Sequence, residues 1–207
     1  MSCRPIIFDP PEWLYVMTLV KTLLPQLSFH RDLEATEAAE RLDGVSIDVL
    51  KDLDWGAPAV YMPPFEKTIE GTVVVAVEGY SAKKLARRGV KVDVVVGDYD
   101  FDAEGYDLAK YAVVHLHGDN YWTVPKRDWI YTVQTWPRRG CVYNISGFTD
   151  GDRAIYLAYY MGARAIYLSG HYPQVVLKRD DEVKKKKLTI ANHLLNRLRR
   201  RIEIETV

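Results

Sequence analysis

Val92-Asp-Val-Val-Val-Gly-Asp-Tyr-Asp-Phe-Asp102 is the stretch on which the fold turns. β-Branched valine suits the pleated sheet. The near-continuous apolar run from Val92 to Val96 predicts a strand covered on both faces, the habit of parallel sheets. The strand runs into Asp98, Asp100 and Asp102 at alternate positions. In an extended continuation, alternation puts the three carboxylates on one side. Like charges held that close shift one another's pKa unless a cation sits among them. A hard divalent ion such as Mg²⁺, carrying phosphates, is the usual remedy. A solvated Asp-rich turn fits the same stretch as well, because Asp is also a turn former.

Outward from this strand, short apolar runs alternate with helical patterns from Pro58 onward. Further strands are expected at Ala59–Met62, Thr72–Val77, Tyr111–His117, Ile130–Gln134, Cys141–Ile145 and Ala165–Ser169, with helices at Ser81–Arg88 and Asp150–Met161. That alternation predicts an α/β fold, a mostly parallel Rossmann-like sheet with flanking helices. In such sheets ligands bind beyond the carboxyl ends of the strands.

Residues 1–57 read as a helical N-terminal region ahead of an α/β domain over 58–207. Trp13, Val16, Met17, Val20, Leu23 and Leu24 share one helical face. Asp32 opens a second helical run to Leu42, and Ser46 a third to Leu53. The tail from Asp180 to Arg201 is an amphipathic helix with Val183, Ala191, Leu194, Leu195 and Leu198 as its apolar stripe. Its Lys184–Lys187 run reads as a solvated face.

Twenty-eight Lys plus Arg balance 28 Asp plus Glu, which argues against nucleic acid or an anionic membrane as the main partner. The 207 residues suffice for one sizeable core. No segment is apolar enough to span a bilayer, and Met1–Pro11 lacks the basic start and apolar middle of a signal peptide. A cytoplasmic location follows. Cys3 and Cys141 fit no metal-ligand spacing and read as separate thiols in a reducing compartment.

Three further segments sit where strands should end. In Val77-Glu-Gly-Tyr80, Gly79 allows a tight bend and Glu78 points over the sheet edge. In His115-Leu-His-Gly-Asp-Asn120, His115 and His117 share a strand face, and Asp119 and Asn120 follow. Two His and an Asp suit zinc, but with no further soft ligand nearby, phosphate or Mg²⁺ handling ranks higher. In Gly147-Phe-Thr-Asp-Gly-Asp-Arg153, Thr149 and Asp152 form a capping box, while Arg153 suits a phosphate at a helix N-terminus.

Taken in order, the glycine turn, Val-Val-Val-Gly-Asp-x-Asp, His-Gly-Asp-Asn, Gln134-Thr135, Tyr143-Asn144 and Gly-Phe-Thr-Asp-Gly-Asp-Arg-Ala resemble the archaeal 6-hydroxymethyl-7,8-dihydropterin pyrophosphokinases, relatives of the thiamin pyrophosphokinases. The likeness covers roughly residues 58 to 170, and the N-terminus loosely. It implies transfer of the β,γ-diphosphate of ATP to the hydroxymethyl group of a reduced pterin, with Mg²⁺, releasing AMP. Asp98, Asp100 and Asp150 become the metal holders. With Asp119 and Arg153 they form the expected catalytic set. Glu78, Gly79, His117, Asn120, Gln134, Thr135, Asn144 and Thr149 are expected to line the nucleotide and the small heterocyclic alcohol. Neither nucleic acid nor membrane is implied as a partner, and homo-oligomerisation is left open.

The chain also departs from the family pattern. Val60-Tyr-Met-Pro-Pro-Phe-Glu66 stands where a Gly-Ala-Gly-Pro-Ser loop is expected, placing side chains where backbone should approach a ligand. Gly97-Asp-Tyr-Asp-Phe101 is nearer the thiamin pyrophosphokinase spelling, and Gly170 is followed by His171-Tyr172 where Met-Asp is expected. Another acceptor such as thiamin, or a binding paralogue without turnover, are the alternatives these changes raise.

Overall fold

The structure, a computed structural model, describes residues 3–170 and 182–207. Its centre is β4 (Val92–Gly97), with the bounds its valines predict. Val94, Val95 and Val96 are fully buried, and burying each such side chain contributes roughly 1.5–3 kcal/mol. Val94 and Val96 face one apolar core, Val95 the other. Layered helices on both faces are therefore built into this one strand.

The strands beside it are β3 (Val74–Val77) and β5 (Ala109–Leu116), both parallel to it. Beyond them lie β2 (Ala59–Tyr61), β6 (Ile130–Val133), β7 (Val142–Asn144) and β8 (Ala165–Ser169). Two edge strands, β1 (Ile6–Ile7) and β9 (Glu203–Thr206), complete a nine-stranded sheet of order β1-β7-β6-β5-β4-β3-β2-β8-β9. Every pairing is parallel. The Rossmann-like expectation holds, with a sheet two strands wider than foreseen. Both added strands are too short to show a period of two, and their partners lie far away in sequence or follow a helix.

One face is covered by α1 (Pro10–Leu23), α4 (Asp150–Tyr160) and α5 (Glu182–Leu198), through Val16, Val20, Ile155, Leu157, Leu194 and Leu198. The other carries α2 (Phe29–Ala39) and α3 (Glu78–Ala86), through Ala35, Ala39, Ala82 and Leu85. Helix α1 starts where Asp9 accepts the Glu12 N–H at 3.0 Å, and Pro25 lies just beyond its end.

Four expectations need correction. Helix α2 begins at Phe29 because Ser28 caps it, which frees Asp32 for another partner. Ile47–Asp52 forms a 3₁₀ turn capped by Ser46 rather than an α-helix. Val183 is 41 % exposed and lies outside the α5 stripe, which instead includes Leu188 and Ile190. The first residues of that tail, Asp180 and Asp181, lie outside the described residues.

The cysteines are the fourth. Parallel pairing of β1 with β7 sets Ile6 against Tyr143, which brings Cys3 to Cys141 as a disulfide with Cα atoms 4.9 Å apart. The bond closes a sequence separation of 138 residues, and no local spacing reveals such a pair. Removing a bridge over so long a loop costs about 2–4 kcal/mol. Reductant, or Cys141→Ser, should therefore lower the midpoint of thermal unfolding by several degrees. An unchanged midpoint would show that the bond restrains only the β1 end.

Candidate active site

The carboxyl edge of the sheet collects the acids. After β4 the chain does not stay extended: Tyr99 (φ 67°) and Asp102 (φ 61°) are both left-handed. The alternation argument therefore fails at its last member. Asp102 turns away to meet Lys83 at 2.6 Å. Asp98 stays at the edge, where its Oδ1 accepts the Asp100 N–H at 3.2 Å. Its main-chain carbonyl accepts from the Asn120 amide at 2.6 Å. His117 Nδ1 accepts the Asp119 N–H at 3.3 Å, so the ring proton belongs on Nε2, which donates to Asp98 Oδ2 at 3.3 Å.

Glu78, rather than the expected Asp100, joins Asp98 and Asp150 in the closely spaced acid group. β3 passes into α3 without a loop, and the turn falls on Glu78 itself at φ 65°. A non-glycine residue there stores strain that its surroundings must hold. Tyr106 supplies one hold, donating its hydroxyl to Glu78 Oε2 at 3.3 Å. Gly97 supplies another by lacking a side chain, since a Cβ would lie 2.1 Å from the Tyr106 hydroxyl and 2.6 Å from Glu78 Oε2. Gly79 is needed for proximity rather than for the bend, because a Cβ there would sit 1.9 Å from the Asp102 carbonyl oxygen. Nothing in a lone Glu-Gly announces this, and Tyr106 was not singled out at all. The only sequence signal was a Tyr eight residues past a strand-end carboxylate.

The third acid comes from α4. Thr149 and Asp152 form the expected capping box, and burial raises the Asp152 carboxyl to about 6 against the pull of its backbone donors. Asp150 opens the helix. Arg153, buried, holds Asp150 at 2.8 Å and reaches Gln134 Oε1 at 3.4 Å and the Phe148 carbonyl at 3.3 Å.

Oxygen atoms of Glu78, Asp98 and Asp150 all lie within 4.8 Å of one another. Among the described residues this is the one group of three potential metal ligands so disposed. Burial, then the charges of Asp150 and Asp98, pushes Glu78 well above the usual carboxylate range. Asp100, sharing a hydrogen with Asp98 and half desolvated, rises to about 7. Burial would also raise Asp98, but His117 and Asp100 outweigh it and hold Asp98 well below the usual range. The donor set is all oxygen and anionic, which fits Mg²⁺ and offers nothing to a soft metal.

Other expected site residues are placed differently. Asn120 spends its amide on Asp98 and His115 and accepts the His117 N–H at 2.8 Å, which staples the Asp98 turn to the end of β5. His115 is buried against Thr132 at 3.1 Å, and burial lowers its pKa well below normal. Gln134, Thr135 and Asn144 face one another: the Asn144 amide donates to both carbonyls of the pair at 2.9 and 3.0 Å. Asp119 stands apart from the acid group, exposed, in an ion pair with Arg31 of α2 at 3.1 Å. Asp32, not expected here, accepts the Gly118 N–H at 3.1 Å and brings α2 alongside.

No model of a protein family matches the chain. Among curated proteins, it is 30 % identical to the 6-hydroxymethyl-7,8-dihydropterin pyrophosphokinase of Methanothermobacter thermautotrophicus over 77 % of this chain and 78 % of that one. The chain belongs to this family. A protein of the same name from Methanocaldococcus jannaschii is 27 % identical over 95 % of this chain and 98 % of its own length. One from Pyrococcus furiosus is 39 % identical over 63 % of each. The resemblance drawn from the ordered motifs is borne out.

This family member's missing glycine loop has a visible replacement. At the end of β2 the Met62 N–H donates to Ser169 O at 2.9 Å. Arg88 then donates to the Glu66 carbonyl at 2.7 Å, and Lys84 donates to the Phe65 carbonyl. Gly170 (φ 121°) absorbs the crowding, since a Cβ there would lie 2.2 Å from the Met62 carbonyl. The loop is a tied cap beside the end of β8. His171 and Tyr172 lie outside the described residues. No described helix is long and apolar enough to cross a membrane.

Proposed function

We propose that this chain transfers the β,γ-diphosphate of ATP to the hydroxymethyl group of 6-hydroxymethyl-7,8-dihydropterin and releases AMP. The observation that carries the reading is the convergence of Glu78, Asp98 and Asp150 at the carboxyl edge of the sheet, in a member of this family. Diphosphate transfer asks for positioning and charge neutralisation rather than covalent chemistry.

Glu78, Asp98 and Asp150 would hold Mg²⁺, which when bound neutralises the phosphate oxygens. His117 orients Asp98, and Arg153 orients Asp150, each through one short polar contact. Arg153 is thus a positioning residue, its fork already committed to protein acceptors. The pterin's hydroxymethyl oxygen attacks the β-phosphorus, the bond from that phosphorus to the bridging oxygen breaks, and AMP leaves with that oxygen. Asp100 is the most exposed carboxyl of the group. It would take the hydroxyl proton.

The test is AMP release from ATP and Mg²⁺, with 6-hydroxymethyl-7,8-dihydropterin and thiamin assayed side by side. AMP together with pterin diphosphate, in the pterin reaction alone, is the expected result. AMP with thiamin alone would overturn the acceptor while leaving the acid group its role. AMP with neither would overturn the transfer itself.

A further inference from the structure

Between α2 and the turn after β6 lies a cavity of about 420 Å³ lined by Leu33, Thr36, Glu37, Glu40, Trp136 and the pair Arg138–Arg139. Ligand pockets typically run from about 300 to 1,000 Å³. Leu33, Thr36, Glu37 and Glu40 recur at helical spacing, so one stripe of α2 forms a wall. The opposite wall is Trp136, which is 54 % exposed. A large apolar ring left in water needs a reason, and this one is braced. Trp13 packs edge-on behind it at 5.8 Å and 88°, and the Trp13 indole N–H is itself fixed to the Gln134 carbonyl at 2.8 Å.

The polar groups of the cavity divide into two kinds. Glu40 is committed to the Arg138 N–H at 2.5 Å and to Arg139 at 3.3 Å. Glu37 is exposed and has no hydrogen-bond or ion-pair partner among the described residues. The pocket is also wired to the acids. Thr36 and Thr135 hydroxyls meet at 2.6 Å on its floor. The neighbouring Gln134 takes Arg153, which holds Asp150.

The geometry points to this cavity as the seat of the pterin ring, with Trp136 stacked on its face and the Glu37 carboxylate reading its amino-pyrimidinone edge. The assignment rests on the function proposed above. It follows from donor patterns. A pterin offers two adjacent donors, the 2-amino group and the ring N–H, which match the two oxygens of one carboxylate. Adenine presents an amino donor beside an acceptor nitrogen, so a carboxylate there would face a lone pair. The same pair of side chains therefore accepts a pterin and rejects the nucleotide base.

Calorimetric titration of the full chain with 6-hydroxymethyl-7,8-dihydropterin, in the presence of Mg²⁺ and α,β-methylene-ATP, tests this alongside steady-state kinetics. Trp136→Ala should weaken pterin binding and raise its KM by about ten- to a hundredfold, the range of one lost stacked base. Trp136→Phe should recover most of that loss. Glu37→Gln keeps one acceptor and should weaken the pterin about tenfold. In all three the affinity for α,β-methylene-ATP stays within about twofold, which also reports that the fold is intact. Pterin affinity unchanged in Trp136→Ala, or a loss of nucleotide affinity in its place, would overturn the assignment. If the wild type binds the pterin through Trp136 yet forms no AMP, the pocket stands and the proposed reaction falls. Turnover with a KM indifferent to both residues would do the reverse. A wild type that does not bind the pterin would overturn both.

Discussion

Glu78→Gln lowers diphosphate transfer by about 10²–10³-fold or more, the scale on which loss of one preorganised charge-stabilising group is felt, and the metal-free protein then melts at a higher temperature than the wild type. The two effects share one cause. Three carboxylates within 4.8 Å repel one another until a cation joins them. An amide removes one charge and keeps the shape. The expected gain is of the order of 2–4 °C, which corresponds to about 1 kcal/mol in a chain of this size.

The pH dependence carries the same signature. Glu78 and Asp100 titrate higher in the folded chain than in the unfolded one, Asp100 at about 7 against an ordinary 3.8. Their protonated forms are the ones folding favours. The stability they contribute is thus present at low pH and is lost as pH rises from about 4 through 7 and beyond. Asp98, depressed by His117 and Asp100 despite its burial, is already ionised throughout that window and does not offset the loss. Mg²⁺ should accordingly raise the melting temperature of the wild type more at about pH 8 than at about pH 5, and raise that of Glu78→Gln less. Equal shifts at both pH values, or in both proteins, would separate Glu78 from the cation.

Glu12→Gln is expected to destabilise the chain by about 3 kcal/mol, the low end for breaking a buried charge pair, or about 6–12 °C at this size. Glu12 is 1 % exposed. It accepts from the Tyr156 hydroxyl at 2.7 Å, from Arg197 at 2.9 and 2.8 Å, and from Arg201 at 3.2 Å. It thus binds α1 to α4 and α5 at once. The two guanidinium groups keep water on one side, which holds the cost at the low end. Burial raises the Glu12 carboxyl, but the hydrogen bonds of Arg197 and Tyr156 and both positive charges outweigh it and leave its pKa lowered. Its stabilisation is present above about pH 4.5 and fades as pH falls through the folded value. Two partly or wholly buried glutamates thus act in opposite senses: acid releases the clamp at Glu12 and relaxes the crowding at Glu78. Urea unfolding of Glu12→Gln and the wild type at about pH 7 checks the first magnitude. A difference under about 1 kcal/mol would place the network among pairs that contribute little.

What could be read from residues alone follows a physical line. β4 was legible to the residue because consecutive valines admit no other element, and the start of α4 because a capping box is a local device. The acids Asp98 and Asp150 were found through motifs that follow strands. Glu78 was expected over the sheet edge as a ligand-lining residue, but its place as the third member of the acid group was not foreseen, because φ 65° at a glutamate has no sequence signature. Asp102 was misplaced for the complementary reason: a left-handed Tyr99 cancels strand alternation. β1 and the disulfide depend on register between segments 138 residues apart. The partners of Gln134, Thr135 and Asn144 (Arg153 and Gly147, Thr36, and two main-chain carbonyls) come from distant segments, and pairing of that kind shows only in three dimensions.

The strand order has a consequence for synthesis on the ribosome. From β2 to β7 each strand docks beside the one made just before it, so the sheet grows outward as the chain emerges. β1 is made first yet has no partner until Val142–Asn144 appears. The opposite flank of β2 likewise stays open until Ala165–Ser169 returns to it across the whole sheet. The nascent chain therefore carries an unpaired β2 flank through most of translation, with its main-chain N–H and C=O groups a template for other strands. In the finished fold, the Met62–Glu66 cap lies at the carboxyl end of that late-closing seam, held by Lys84 and Arg88. Lys84 comes from α3 and Arg88 from the turn just after it, both complete well before β8 is made. A pulse-labelled chain stalled before Ala165 should be markedly more aggregation-prone than one released past Ser169.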